Sequence, residues 1–236
     1  MPYRYLALPL SATSLFVSLL VSIVLAPAAQ AQTKEETITR LVTMSANNVL
    51  DSMMHTLSLR TQDFNAHVSA INKTRPLEAT NLDSAHLATN AGLTLEFIEY
   101  LKQYRASSKT TIDRFEDSLF ILESEFPPVR EKRLIKAVAE SYMADNKAFD
   151  GYVGALSKVY SNVLNILLFL QHTPYSMVKG KPQFRLPKDM VTYQKMLTQT
   201  DDAQKEAAEA AAASRDASQR AHKKLREFNT AQSNND

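Results

Sequence analysis

Cysteine and tryptophan are absent from this 236-residue chain, and glycine occurs only four times. Without cysteine the chain has no disulfide, no thiolate metal ligand, no thiol nucleophile and no lipoprotein attachment residue. The few glycines form neither a phosphate-binding loop nor a Gly-x-Ser-x-Gly nucleophile elbow; they are Gly92, Gly151, Gly154 and Gly180. Folding stability must therefore come from side-chain packing.

An excess of one charge is also missing. The chain has 27 basic and 25 acidic side chains, which gives a formal net charge of +2 at pH 7. A balance this even produces no overall attraction to polyanions. The sequence therefore predicts no nucleic-acid partner.

Charged side chains do not occur from Tyr5 to Thr33, directly after a short basic start. The densest apolar run is Leu15 to Ala26, and small residues at Ala29 and Ala31 match the positions that a signal peptidase reads. The pattern predicts a signal peptide at 1–31 and a mature protein that is exported, either periplasmic or secreted.

An uncleaved membrane anchor is the alternative interpretation of the same segment, because a charge-free stretch of this length could span a bilayer. A membrane association is expected only in that case. Later in the chain the most apolar run is Val163 to Leu170, which is too short to span and is expected to be buried core.

Prolines after the first segment occur at only three places: Pro76, Pro127-Pro128, and the group Pro174, Pro182 and Pro187. Between these joints lie four segments with apolar residues at helical spacing, 34–73, 82–125, 128–171 and 188–228. The predicted fold class is all-α, an elongated up-and-down bundle of about four long helices. No strand is expected. The predicted domains are the signal peptide, one helical-bundle domain at 32–228 and a disordered tail at 229–236.

Two details of this bundle stay open at the sequence level. Serines and threonines interrupt the apolar stripe between Arg105 and Thr111, which would allow a break in the second helix. The stripe of the fourth helix consists mostly of alanine, which suits either close packing within the bundle or a coiled-coil face for another chain. Gly151 and Gly154 in the third helix predict the close approach of a neighbouring helix.

Acidic residues and histidines pair at helical spacing, but they form no motif of a metal-dependent bundle. The pairs are Asp51 with His55, Asp63 with His67, and Asp83 with His86. Solvated pairs on the helix surface explain this spacing. We expect no metal, no cofactor and no catalytic residues.

The joint from His172 to Asp189 is the most unusual stretch, because it is the longest connection and gathers cations around apolar side chains. Long connections in compact domains are often functional. The residues expected to contact a partner or an anion are Lys179, Lys181, Phe184, Arg185 and Lys188. Aromatic and basic side chains together suit an anionic glycan, a lipid headgroup or an acidic protein surface. The alternative is a solvated crossover whose apolar side chains cap the end of the bundle.

The sequence as a whole favours a non-catalytic exported protein that contacts another envelope macromolecule, either a protein or an anionic component. A small-molecule-binding or sensory four-helix module is the alternative. An enzyme is disfavoured because no acid, base and nucleophile can be grouped. The identity of the partner and the oligomeric state stay open.

Overall fold

The computed structural model describes residues 34–125 and 130–233. Its elements are α1 Lys34–Thr74, a 3-10 helix Ala79–Asn81, α2 Ser84–Glu125, α3 Arg130–His172, β1 Tyr175–Val178, β2 Lys181–Phe184 and α4 Pro187–Ser233. The described chain is therefore mostly helical, as predicted. The predicted signal peptide at 1–31 and the Pro127-Pro128 pair lie outside the described residues, as do the last residues, 234–236.

Helix α2 runs without interruption through the serines and threonines between Arg105 and Thr111. Serine and threonine hydroxyl groups within a helix can donate hydrogen bonds to backbone carbonyl oxygens of the preceding turn. Ser107 does so, with its Oγ donating to the carbonyl oxygen of Tyr104 at 3.3 Å. The polar interruption therefore leaves the helix intact. The last helix, α4, continues to Ser233. Residues 229–233 are therefore helical, although the sequence predicts that they belong to a disordered tail.

The expectation of no strands is wrong at the joint between α3 and α4. Strands β1 and β2 pair antiparallel, with Tyr175 opposite Phe184 and Val178 opposite Lys181. Each strand has only four residues, too few for a clear alternation of apolar and polar side chains. Pro182 also suggested a helix joint, whereas proline is tolerated in a strand at the edge of a sheet.

Helix α3 is more apolar than we expected. Between Ile135 and His172 it is long and apolar enough to cross a membrane, judged by length and composition alone. Half of its most apolar window is buried inside the protein. The core helix of a water-exposed bundle meets the same criterion, so composition alone does not identify α3 as a membrane span.

The described chain divides into two compact units, and each of the four helices contributes residues to both. Unit 1 contains 63–108 and 147–214, and unit 2 contains 34–62, 109–125, 130–146 and 215–233. The single domain expected at 32–228 stays a prediction.

Aromatic rings are prominent in one of the two buried clusters of unit 1, whereas the other, against which Tyr175 and Phe184 pack, is mostly aliphatic. Phe64 on α1 lies at the centre of the aromatic cluster, with ring centroids 5.3 Å from Tyr104 and 5.0 Å from Phe149. Phe97 contacts Tyr160 edge to face, at 4.7 Å between centroids. Edge-to-face ring pairs contribute about 0.5–1.5 kcal/mol each beyond the burial of their area. All four helices supply residues to this core.

Unit 2 has a core of mostly aliphatic side chains. Its buried cluster joins α1, α3 and α4 and consists of Leu50, Met53, Ile135, Val138, Ala139, Tyr142 and Ala221. Phe115 of α2 packs against it while staying partly exposed. The one fully buried ring in this cluster, Tyr142, carries a hydroxyl group.

The alanine stripe of α4 lies inside the protein. Ala203 and Ala207 belong to the core of unit 1, and Ala221 belongs to the core of unit 2. Ala207 and Ala221 are each 0% exposed. Packing within the bundle is confirmed for these residues, and the alternative of a coiled-coil face for another chain is wrong for them.

The two glycines of α3 do not mark a close approach between helices. A Cβ added at Gly151 would meet nothing within 4 Å, and one added at Gly154 would meet the guanidinium carbon of Arg105 at 3.5 Å. That distance is ordinary van der Waals contact. The expectation of a tight helix crossing at these positions is therefore wrong.

Candidate functional site

The β-hairpin between α3 and α4 exists because helix-breaking residues bound it on both sides. Pro174 follows the end of α3 and cannot continue the helix, while Pro187 opens α4 at a position where proline is favoured. Lys179 and Gly180 form the two-residue connection, with φ of 51° and 73°. Positive φ at both positions gives the turn whose twist matches paired strands.

Aromatic side chains anchor the hairpin to the helices of unit 1. The ring of Phe184 lies 5.6 Å from that of Phe169 on α3 and 5.2 Å from that of Tyr193 on α4, measured between centroids. Tyr175, opposite Phe184 in the register, donates its hydroxyl hydrogen to the carbonyl oxygen of Leu82. Burial raises the pKa of Tyr175, so its hydroxyl stays a donor at neutral pH. The hairpin is thus packed against the helices through the face that carries Tyr175 and Phe184.

The alternation of the strands determines which side chains face outward. Directly opposed residues share a face, and successive residues lie on opposite faces. Tyr175 and Phe184 define the inner face, and buried Pro182 lies on it. The outer face carries exposed Ser176, Val178, Lys181 and Gln183.

Four of the five residues predicted to contact a partner are exposed cations. Lys179 and Lys181 lie at the tip of the hairpin, Arg185 directly follows β2, and Lys188 is in the first turn of α4. None of the four forms a salt bridge with another described residue. The fifth residue, Phe184, instead points inward as the anchor of the hairpin. The expectation that Phe184 contacts a partner does not match its inward packing, and contact of the four cations with a partner stays a prediction.

An open groove of about 410 Å³ borders β1. Its walls include Leu87 of α2 and Leu170 of α3, together with Tyr175 and Met177 of β1. At its rim the Asp83 carboxylate accepts hydrogen bonds from the backbone N–H groups of Ala85 and His86 and from the His86 imidazole at 2.7 Å.

These bonds determine the charge of Asp83. The backbone N–H of His86, followed by its imidazole, lowers the pKa of the carboxyl group. Asp83 therefore stays ionised near neutral pH. Its carboxylate acts as the N-terminal cap of α2.

A second polar group of side chains lies in unit 2 and joins α3 to α4. Burial raises the pKa of Asp145 to about 6, opposed by the nearby His222 and by a hydrogen bond from the Ser218 side chain. The hydroxyl of Tyr142 is buried and has no hydrogen-bond partner among the described residues. Burial raises its pKa to about 12. The sequence offers no indication of this group, because the residues from α3 and those from α4 are separated by more than seventy positions.

The arrangement of this polar group is not that of a catalytic triad. In a triad the imidazole lies between the nucleophilic hydroxyl and the carboxylate. Here the hydroxyl of Ser218 bonds Asp145 directly. Nδ1 of His222 instead donates to the carbonyl oxygen of Ser218 at 2.7 Å. The imidazole of His222 is therefore not placed between the hydroxyl of Ser218 and the carboxylate of Asp145.

The acid–histidine pairs noted in the sequence lie on helix surfaces. His67 stacks on Tyr100, with ring centroids 3.8 Å apart, and its Nδ1 lies 3.5 Å from the Asp63 carboxylate. Asp51 and His55 are exposed on α1. Across 34–125 and 130–233, no three histidine, aspartate or glutamate side chains group as a metal site would require.

Comparison with known proteins gives no relative: no family model, no curated protein and no solved structure matches this chain.

Proposed function

We propose that this protein is a non-catalytic, exported interaction protein that contacts an anionic component of the cell envelope through the hairpin between α3 and α4. The observation that carries the proposal is the hairpin itself, anchored by Phe184 and Tyr175 while it presents Lys179 and Lys181 to solvent. A positioned cationic surface binds an anion with less loss of conformational entropy than a flexible loop does.

The local charge supports an anionic partner. Between 172 and 189 the chain carries four cationic side chains and one acidic residue, Asp189. Many other cations in the described chain lie within reach of a carboxylate, for example Lys158 with Glu206 and Arg105 with Asp150. The four hairpin cations keep their charge available for an external partner.

Export and bundle arrangement belong to the same proposal. The uncharged run from Tyr5 to Thr33 supports cleavage after Ala31. N-terminal sequencing of the exported protein should then begin at Gln32, whereas membrane-held protein that begins at Met1 or Pro2 would contradict cleavage. The elongated up-and-down arrangement stays a prediction. It is supported by the core of unit 1, to which all four helices contribute, and by that of unit 2, which α1, α3 and α4 form and against which Phe115 of α2 packs.

A small-molecule-binding module is the second candidate, favoured by the groove beside β1. Its volume of about 410 Å³ lies in the range of ligand sites. Its apolar walls and the ionised Asp83 would suit a ligand with an apolar body and a cationic group. Native mass spectrometry of the purified protein tests this candidate, since a defined metabolite of constant mass would support it.

Crosslinking from the native envelope tests the leading proposal. A quadruple variant, K179E/K181E/R185E/K188E, is compared with K109E/K147E/K195E/K223E, which changes the net charge by the same amount at exposed helix positions. The proposal predicts that the hairpin variant loses the species captured by the native protein and that the helix variant keeps them. Equal capture by both variants would contradict it.

A further inference from the structure

The tip of the hairpin combines exposed apolar side chains with cations. Met177 and Val178, adjacent in β1, are 37% and 40% exposed. Lys179 follows them directly in the turn, and Lys181 lies opposite Val178 in the register. Single exposed apolar residues are ordinary on protein surfaces. An exposed valine flanked by two cations on the outer side of an anchored hairpin, with Met177 on the opposite face of the same strand, is a more specific arrangement.

Backbone pairing prevents Val178 from turning into the core. Its partner Lys181 shares its face of the hairpin, and that face is opposite to the one on which Tyr175 and Phe184 pack. The apolar surface of Val178 is therefore exposed by the geometry of the strand, and not by a choice of side-chain rotamer.

We propose that this tip binds the surface of an anionic lipid bilayer, with Val178 entering the interfacial region and Lys179 and Lys181 contacting lipid phosphates. The inference rests on the proposed function, since it identifies the anionic envelope component as lipid. Amphipathic segments that bind bilayer surfaces combine apolar and basic side chains in this way. An acidic protein surface would match the cations but would leave Val178 without an apolar environment.

Helix α4 supplies a matched control for the apolar contact. Val191 is 65% exposed, more than Val178 is. It lies two residues from Tyr193, whose ring contacts Phe184, so at 100° per residue Val191 points to the opposite side of α4 from the hairpin. A mutation at Val191 therefore changes exposed apolar surface without touching the tip.

Vesicle flotation gives the first test, with vesicles of phosphatidylglycerol and phosphatidylcholine compared with phosphatidylcholine alone. The native protein should float only with the anionic vesicles. Val178→Ser should lower the partition coefficient about tenfold and Lys181→Gln about fivefold. Val191→Ser and Lys195→Gln, at exposed sites of α4, should leave it unchanged. Circular dichroism confirms that each variant is folded.

Tryptophan fluorescence gives the second test, because the native chain contains no tryptophan. Val178→Trp and Val191→Trp each introduce a single reporter at an exposed position. The emission of the Val178→Trp protein should shift to the blue on addition of anionic vesicles, and that of the Val191→Trp protein should not. No shift at Val178→Trp, or equal shifts at both positions, would overturn the inference.

Failure of this inference can be distinguished from failure of the proposed function. If the quadruple hairpin variant loses envelope capture but native protein does not float with anionic vesicles, the lipid inference is wrong and the anionic partner is a glycan or a protein. If envelope capture is insensitive to the hairpin charges and flotation also fails, both are wrong.

Discussion

Units 1 and 2 are built from the same four helices but are filled by different side chains. Unit 1 packs interlocking rings around Phe64, whereas unit 2 packs aliphatic side chains and one buried tyrosine, Tyr142. Both units leave large apolar side chains exposed, for example Val191 at 65% in unit 1 and Phe120 at 70% in unit 2, so the difference lies in the buried side chains. Ring packing buries more area per residue, so unit 1 should contribute more stability.

The two units also differ in how they treat titratable groups. The buried interior of unit 1 holds rings, aliphatic side chains and uncharged polar side chains such as Asn90 and Thr94. Its tyrosine hydroxyl at Tyr160 donates to the Asn72 side chain at 3.0 Å. In unit 2 the partly buried Asp145 joins α3 and α4, and its pKa is raised to about 6. The stability of unit 2 should therefore respond to pH between 3.8 and about 6, while that of unit 1 should not.

Removing the central ring tests the comparison most strongly. Phe64→Ala should lower the free energy of unfolding by about 3–5 kcal/mol, because the rigid surrounding rings cannot close the cavity. Met53→Ala in unit 2 should cost only about 2 kcal/mol, since its aliphatic neighbours can rearrange. Urea unfolding followed by circular dichroism measures both. Leu95→Ala at an exposed site is the control and should change stability by less than about 0.5 kcal/mol. Equal costs at Phe64 and Met53 would remove the proposed difference.

Enlarging buried side chains in the alanine stripe of α4 tests the same difference by overpacking, whereas the preceding variants create cavities. Ala207 and Ala221 are both fully buried, the first in unit 1 and the second in unit 2. Ala207→Leu should destabilise the protein by about 1–3 kcal/mol through overpacking, and Ala221→Leu by less, because Met53 and Leu225 can adapt. Ala213→Leu, at an exposed site, should be neutral. A larger cost at Ala221 than at Ala207 would contradict the comparison.

The helices of both units could be predicted from sequence because their pattern is local. Apolar residues at a spacing of three and four placed Phe64, Leu101 and Leu156 on buried helix faces, where the structure has them. Burial of the alanines at 203 and 207 followed from the same spacing, although the pattern alone did not decide what covered them.

The hairpin and the polar group were not predictable in the same way. Lys179-Gly180 is a turn signal only when paired strands flank it, and strands of four residues containing Pro182 give almost no periodicity. Asp145 and His222 meet only because α3 and α4 pack together, and no local spacing encodes such a contact. The candidate cations at the hairpin were nevertheless found, because the charge cluster is local even though the strands that present it are not recognisable.

Titration of Asp145 should change the free energy of unfolding by less than the packing mutations do. It distinguishes the two units because Asp145 lies in unit 2. Its pKa rises from 3.8 to about 6 on folding, so the folded state binds more protons than the unfolded state between these values. The free energy of unfolding should therefore fall as pH rises through this window, by about 1–2 kcal/mol after allowance for partial solvent exposure.

Urea unfolding at several pH values between 4 and 7 measures this effect as a difference between proteins. Asp145→Asn should remove that part of the pH dependence. Asp117→Asn changes the same type of side chain at an exposed position of unit 2 and should keep the native pH profile. If Asp145→Asn also keeps that profile, the raised pKa of Asp145 is not a determinant of stability.

The smallest expected effect is a gain, and it concerns a weakness of unit 1. All four glycines of the chain lie in that unit, and Gly151 is in the interior of α3 with nothing within 4 Å of an added Cβ. Gly151→Ala should therefore raise the free energy of unfolding by about 0.5–1 kcal/mol, because alanine loses less backbone entropy in a helix. Gly180→Ala is the opposite control: its φ of 73° strains any side chain, so this variant should be less stable than the native protein. Thermal unfolding measures the stability of both variants relative to the native protein. A loss of stability in Gly151→Ala would show that α3 requires a glycine at this position for a reason other than space.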